Sequence, residues 1–167
     1  MVKVKSLLVL VCLLWLAGCT PEYNWRELIV ADDRAIVMFP SRVKTEQRTI
    51  RVDGSDLVFS LTSAAVDQSV FSVGYAPLSS ALDSAQGERL VQAFATALAA
   101  RVGQPLAPQA LNGDVFELES VVGGQASRLM ARVLIHRGML IQVVVSGPKK
   151  SLSKENATEF MRSLVLR

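Results

Sequence analysis

Histidine occurs once in this chain, at His136, and cysteine twice, at Cys12 and Cys19. That scarcity excludes most of the familiar chemistry. A usual zinc site needs three or four His, Cys or carboxylate ligands, and one histidine with two cysteines close to the N-terminus does not supply them. A Ser-His-Asp site would have to use His136, which sits in a turn, and no Gly-x-Ser-x-Gly elbow supports it. Gly123-Gly124 lies between two strand-like segments rather than ahead of a helix, so it does not cradle a phosphate. Charge of one sign is also lacking: 18 basic against 15 acidic residues give +3. Nucleic-acid binding, which calls for a clustered basic surface, is not expected. Nor is a cofactor or a bound metal.

Long apolar runs are missing as well, with one exception. Leu7 to Ala17 (LLVLVCLLWLA) is an 11-residue apolar stretch. As a helix it would span about 16 Å, roughly half a bilayer core, which disfavours a permanent span. Lys3 and Lys5 precede it and the small pair Ala17-Gly18 follows it. A basic start, a short apolar core and small residues at the end form the pattern of a secretory leader. The tetrad Leu16-Ala17-Gly18-Cys19 resembles the lipobox of bacterial lipoproteins. That resemblance implies cleavage after Gly18, a diacylglyceryl group on the Cys19 sulfur and an acylated (palmitate-type) new N-terminus. Three acyl chains anchor firmly, whereas one alone is marginal. Thr20, rather than Asp, follows the cysteine, which in the lipoprotein resemblance implies an outer-membrane address facing the periplasm, or the inner membrane if that sorting rule does not apply.

Three segments are therefore expected: a leader over 1–18, a lipidated terminus and tether over 19–24, and one domain over 25–167. Removing the 18 leader residues from 167 leaves 149, enough for a single core burying about two thirds of the unfolded surface. Lys3 and Lys5 leave with the leader, so the mature charge is near zero, and no thiol remains free for a disulfide. Thr20 to Asn24, fully extended, reach about 18 Å at most, which keeps the domain at the membrane. Tyr23 and Trp25 suit either the lipid interface or the domain core, and the core is the expected place for Trp25.

The rest of the chain reads as strands and two helices. Trp25 to Val30, Ala35 to Phe39 (stopped by Pro40) and the more polar Lys44 to Val52 are expected strands. Asp53-Gly54 is a strong hairpin signal, pairing Arg51 with Asp56 and Ile50 with Leu57. In Ser55 to Ala64, Leu57, Phe59 and Leu61 share one face and Asp56, Val58 and Ser60 the other; in Ser69 to Ala76, Phe71, Val73 and Tyr75 share a face opposite Ser72, Gly74 and Ala76. A helix follows from near Asp83 to Val102, with Leu90, Phe94, Ala97, Leu98 and Val102 as its apolar stripe and Gly103 at its end. Strands then recur over Asp114 to Val121, Gln125 to Ile135 and Met139 to Ser146. A three-residue turn, His136-Arg137-Gly138, sets Ile135 against Met139 and Val133 against Ile141, all apolar. A short helix from an Ser153 cap to about Leu164 closes the chain.

The fold class is thus α+β: an antiparallel sheet of six to eight strands with two helices packed on it. The buried set is expected to include Leu57, Phe59, Phe71, Val73, Leu129, Val133, Ile141 and Val143. Ile36-Val37-Met38-Phe39-Pro40, followed by two alternating strands and the order of elements after them, resembles the PsbP-like α/β/α sandwich. That family is largely non-enzymatic and acts by binding, which implies the same here.

Few residues offer a site. Glu117 and Glu119 share a strand face and form a candidate carboxylate pair for a hydrolase, with a solvated strand edge as the plainer reading. Arg128 and Arg132, one face of the next strand with Gln142 beside Arg132, are anion-binding candidates. The small residues Ser60, Thr62, Ser72, Gly74 and Ala76 are expected to lie together under the long helix, or else to line a shallow cleft or receive a partner. The expected role is a non-enzymatic envelope lipoprotein. It is held on the membrane by its lipid and binds either an envelope protein partner or, alternatively, a small amphiphile as carrier or sensor.

Overall fold

The computed structural model describes residues 22–52, 55–78, 82–106 and 113–167; the expected leader, Cys19 and the expected turn at Asp53-Gly54 lie outside them. Among the described residues, nine strands and two helices follow in the order β1 (Arg26–Val30), β2 (Ala35–Phe39), β3 (Val43–Val52), β4 (Ser55–Val66), β5 (Ser69–Pro77), α1 (Ser84–Arg101), β6 (Phe116–Val122), β7 (Gln125–His136), β8 (Met139–Pro148), α2 (Lys154–Arg162) and β9 (Val165–Leu166). Six strands form an antiparallel sheet in the order β3-β4-β5-β8-β7-β6, and β1-β2-β9 form a separate three-stranded sheet. The expected single sheet is therefore two, because β2 pairs with β9 rather than with the main sheet. Val165 and Leu166, a run too short to read as a strand from sequence, close the small sheet as β9.

The helices start where side chains can hold their free amides. Asp83 accepts from the Gln86 amide while the Gln86 side chain accepts from the Asp83 amide, a reciprocal cap. Ser153 accepts from the Asn156 amide at the start of α2. Gly103, at φ +67, takes the left-handed conformation that ends α1.

Each face of the main sheet is covered. On one face, α2 and the small sheet bury Phe71, Val73, Ile141, Val143 and Val145 together with Phe39, Leu152 and Phe160. On the other, α1 lies on β7, and Leu90, Val91 and Leu98 meet Leu129, Val133 and Val144. All eight residues expected in the core are buried. Trp25 packs edge-on against Phe71, 6.0 Å between ring centroids, so it belongs to the core as expected.

Two hairpins differ from expectation. The β7–β8 turn has two residues, pairing His136 with Met139 and Arg132 with Val143. Arg137 and Gly138 both take positive φ, 47° and 71°, the geometry of the tight turn that matches strand twist. The all-apolar register failed as a criterion because the middles of these two strands are buried on both faces, so an apolar residue need not pair with another apolar one to be buried. In the β4–β5 hairpin, Val66 pairs with Ser69, Thr62 with Val73 and Ser60 with Tyr75. That parity splits the small-residue set: Ser60 and Thr62 lie on the α2 side, and Ser72, Gly74 and Ala76 on the α1 side.

A groove beside the long helix

Because α1 sits over β7, it leaves the same face of β3, β4 and β5 only flanked. The space between is a groove of about 640 Å³, within the range of about 300–1,000 Å³ usual for small-molecule sites. Its apolar lining includes Ile50, Phe59, Leu61, Phe94, Leu98 and Val144, and its floor carries Ser63, Ser72, Gln142 and Ser146. Arg48, Arg51 and Arg101 edge it, all exposed. Among the described residues none of the three has a carboxylate within ion-pair distance. An apolar slot with polar floor groups and free cations at its rim suits a molecule with an apolar body and an anionic head.

One glycine shapes the groove. Phe59 stacks on Phe94 of α1, 5.9 Å between centroids and 26° between planes. Its ring lies over Gly74, where a β-carbon would stand 2.7 Å from Phe59 Cε1. Gly74 thus lets the ring lie flat on β5 and reach the helix. A glycine inside an alternating strand is the sequence signal of such a close approach.

The helix stripe read from the sequence marks this site more than the core. Phe94, Ala97, Leu98 and Val102 all line the groove, whereas the residues of α1 that are buried are Leu90, Val91, Ala95, Leu98 and Ala99. Ala97 is exposed and Phe94 half-buried. The groove arginines were missed because Arg48 and Arg101 look like ordinary surface charge until the fold brings β3 opposite the end of α1.

The residues singled out in advance lie elsewhere. Arg128 and Arg132 share the α2 side of β7, but Gln142 faces the groove, since the two-residue turn pairs it with Val133. Arg128 Nε donates to Glu117 at 2.6 Å, and its Nη1 donates to the Leu152 carbonyl at 3.2 Å. Arg132 Nε donates to the Gly113 carbonyl. Both guanidinium groups therefore have internal partners and are not open anion sites. Glu117 and Glu119 do share a face, as ion-pair partners: Lys154 stands 3.4 Å from Glu117, and Lys149 bridges to Glu119. Burial opposes the ionisation of Glu117, but the Arg128 hydrogen bond and charge, with Lys154, outweigh it and hold its carboxyl below the usual range. Such a group is a poor general acid. His136 is half-buried at the end of β7, its Nε2 2.7 Å from the Arg167 carbonyl. Among the described residues no three His, Cys, Asp or Glu side chains could hold a metal ion.

No family model and no curated protein matches the chain. It is similar to the solution structure of cyanobacterial PsbP (CyanoP) from Synechocystis sp. PCC 6803, at 12% sequence identity and a TM-score of 0.47, over 90% of this chain and 97% of that chain. No comparison places the chain in an enzyme family.

Proposed function

We propose that the protein is a non-enzymatic, lipid-anchored component of the bacterial envelope that binds an amphiphile with an anionic head in the groove beside α1. The observation that carries this reading is the groove itself, apolar within and edged by Arg48, Arg51 and Arg101. The apolar part of the ligand would lie between Leu61 and Phe94. Its head would meet Arg101 or Arg48, with the floor hydroxyls as further donors. The leader and the Leu16-Cys19 tetrad support the anchor, and Thr20 supports the outer membrane.

Binding is tested on the lipidated protein with a fluorescent fatty acid. Arg101→Glu should weaken it about tenfold or more, the loss of a charged hydrogen bond being worth about 1.5–3 kcal/mol. Arg137→Glu, outside the groove, should leave it unchanged. No probe binding and no lipid copurifying with the protein would refute the amphiphile. The short tether would then favour the other reading, an envelope protein partner met at the membrane surface. The anchor has its own test: Cys19→Ser should abolish fatty-acid labelling and leave the precursor unprocessed.

A further inference from the structure

The chain enters the domain at one end of the main sheet. Tyr23 Oη donates to the Ser151 carbonyl at 3.2 Å, and its ring stacks on Trp25 at 5.7 Å. Ser151 follows Lys149 and Lys150. The Lys149 amide donates to the Ala126 carbonyl at 2.8 Å, and Ala126 pairs with Val121. Tether entry, lysine pair and β6–β7 hairpin tip are therefore neighbours. At the opposite end, Arg137 turns between β7 and β8, and the Arg167 amide donates to the Arg34 carbonyl at 2.9 Å, which places the acidic Asp32-Asp33 turn there.

The hairpin tip is unusual for a surface. Val121 and Val122 are 73% and 57% exposed, and the turn beyond them is Gly123-Gly124, with no side chain to cover them. Beside the valines lie Lys149, Lys150 and Lys154; Lys149 and Lys154 pair with Glu119 and Glu117, and Glu22 and Asp67 stand near Tyr23. Lys150 is exposed and, among the described residues, has no carboxylate within ion-pair distance. From Cys19 to Tyr23 an extended chain reaches about 14 Å at most, so an acylated Cys19 would hold this end of the domain close to the bilayer.

We infer that the β6–β7 tip and the adjoining lysines are a membrane-docking surface: Val121 and Val122 enter the interface, and Lys149 and Lys150 meet anionic headgroups. This rests on the lipid-anchor reading. Apolar side chains flanked by lysines suit the boundary between acyl chains and headgroups. The sheet then stands on its end. Val70 and Ser146, which line one end of the groove, lie at this end of the sheet.

The test uses the lipidated full chain in vesicles of phosphatidylcholine and phosphatidylglycerol. An environment-sensitive fluorophore is placed on Val122→Cys or on Asp33→Cys, and nitroxide-labelled lipids quench it. The label at 122 should be quenched several-fold more than the label at 33. In the Val122→Cys background, Lys149→Glu with Lys150→Glu should bring the tip signal down toward that of residue 33. Equal quenching at the two sites, with acylation of Cys19 verified by mass spectrometry, overturns the docking surface and leaves the anchor standing. Quenching at 122 that ignores the lysine reversal overturns the headgroup contact. A chain without acyl groups that leaves the vesicles removes the anchor and this inference together.

Discussion

Two phenylalanines of similar burial should differ sharply in what they contribute. Phe71 is fully buried, with the rings of Tyr23 and Trp25 at 6.0 Å each and Phe160 at 5.2 Å, all edge-on. Phe71→Ala leaves a closed void and breaks three aromatic pairs. Phe-to-Ala changes in cores cost about 3–5 kcal/mol, and this one belongs near the top, at about 4–5 kcal/mol. Phe59 is 6% exposed but forms a wall of the groove and has one aromatic partner, Phe94. Its removal widens a space already open to water, so little cavity cost is added. What remains is transfer, about 1.5–3 kcal/mol for such a side chain, with part of one ring pair. The expected cost is about 2–3 kcal/mol, roughly 2 kcal/mol less than at Phe71. Urea unfolding of the two variants should show the gap as a difference in midpoint with unchanged slope. In melting, the Phe71 variant should fall about 4–8 °C further. Equal losses at the two positions would refute the open groove.

Gly74→Ala should destabilise by about 1–3 kcal/mol through overpacking against Phe59. Gly87→Ala, in α1 with its nearest contact at 3.5 Å, should stabilise by about 0.5–1 kcal/mol; thermal melts of both check the sign. Because the Glu117 carboxyl is held low in the folded state, its contribution is present above the unfolded value of about 4.3 and is lost as pH falls through the folded one. Glu117→Gln should therefore lower stability at pH 7 and lose that effect in acid, as urea midpoints across pH would record. Arg137→Asn should stabilise by about 0.5–1 kcal/mol, since asparagine tolerates the left-handed position that Arg137 occupies. His136→Ala should cost under about 1 kcal/mol as a partly exposed turn-end change.

Local order was legible in the sequence to a considerable degree. Ala35 to Phe39 ends where Pro40 stops it, and Asp83 and Gly103 bracket α1, because caps and breakers act within a few residues. Arg51 against Asp56 and Ile50 against Leu57 appear in the β3–β4 register as read from the Asp53-Gly54 signal. What escaped was set by parity and by distant contacts. A turn of two residues rather than three moved Gln142 from the side of Arg132 into the groove. The Asp67-Gln68 turn sent Ser60 and Ser72 to opposite faces. The partners of Arg128 and Arg132 are a carboxylate and backbone carbonyls, which no pattern in their own strand announces. The groove exists because α1 is displaced onto β7, a choice made by packing across the sheet.

The strand order has a consequence for assembly. β3-β4-β5 and β6-β7-β8 are each a meander of strands consecutive in the chain, and they meet only along the β5–β8 ladder, where Ser72 pairs with Val144. Closing that seam joins residues some 72 apart, and β2–β9 spans nearly the whole domain. Each meander can form from nearby contacts, while the seam must await a costlier loop closure. Until then Phe71, Val73, Ile141 and Val143 lie on two unpaired inner edges. These are strands apt to associate with the wrong copy, so the half ending at α1, before the seam closes, is the stage most exposed to misassembly.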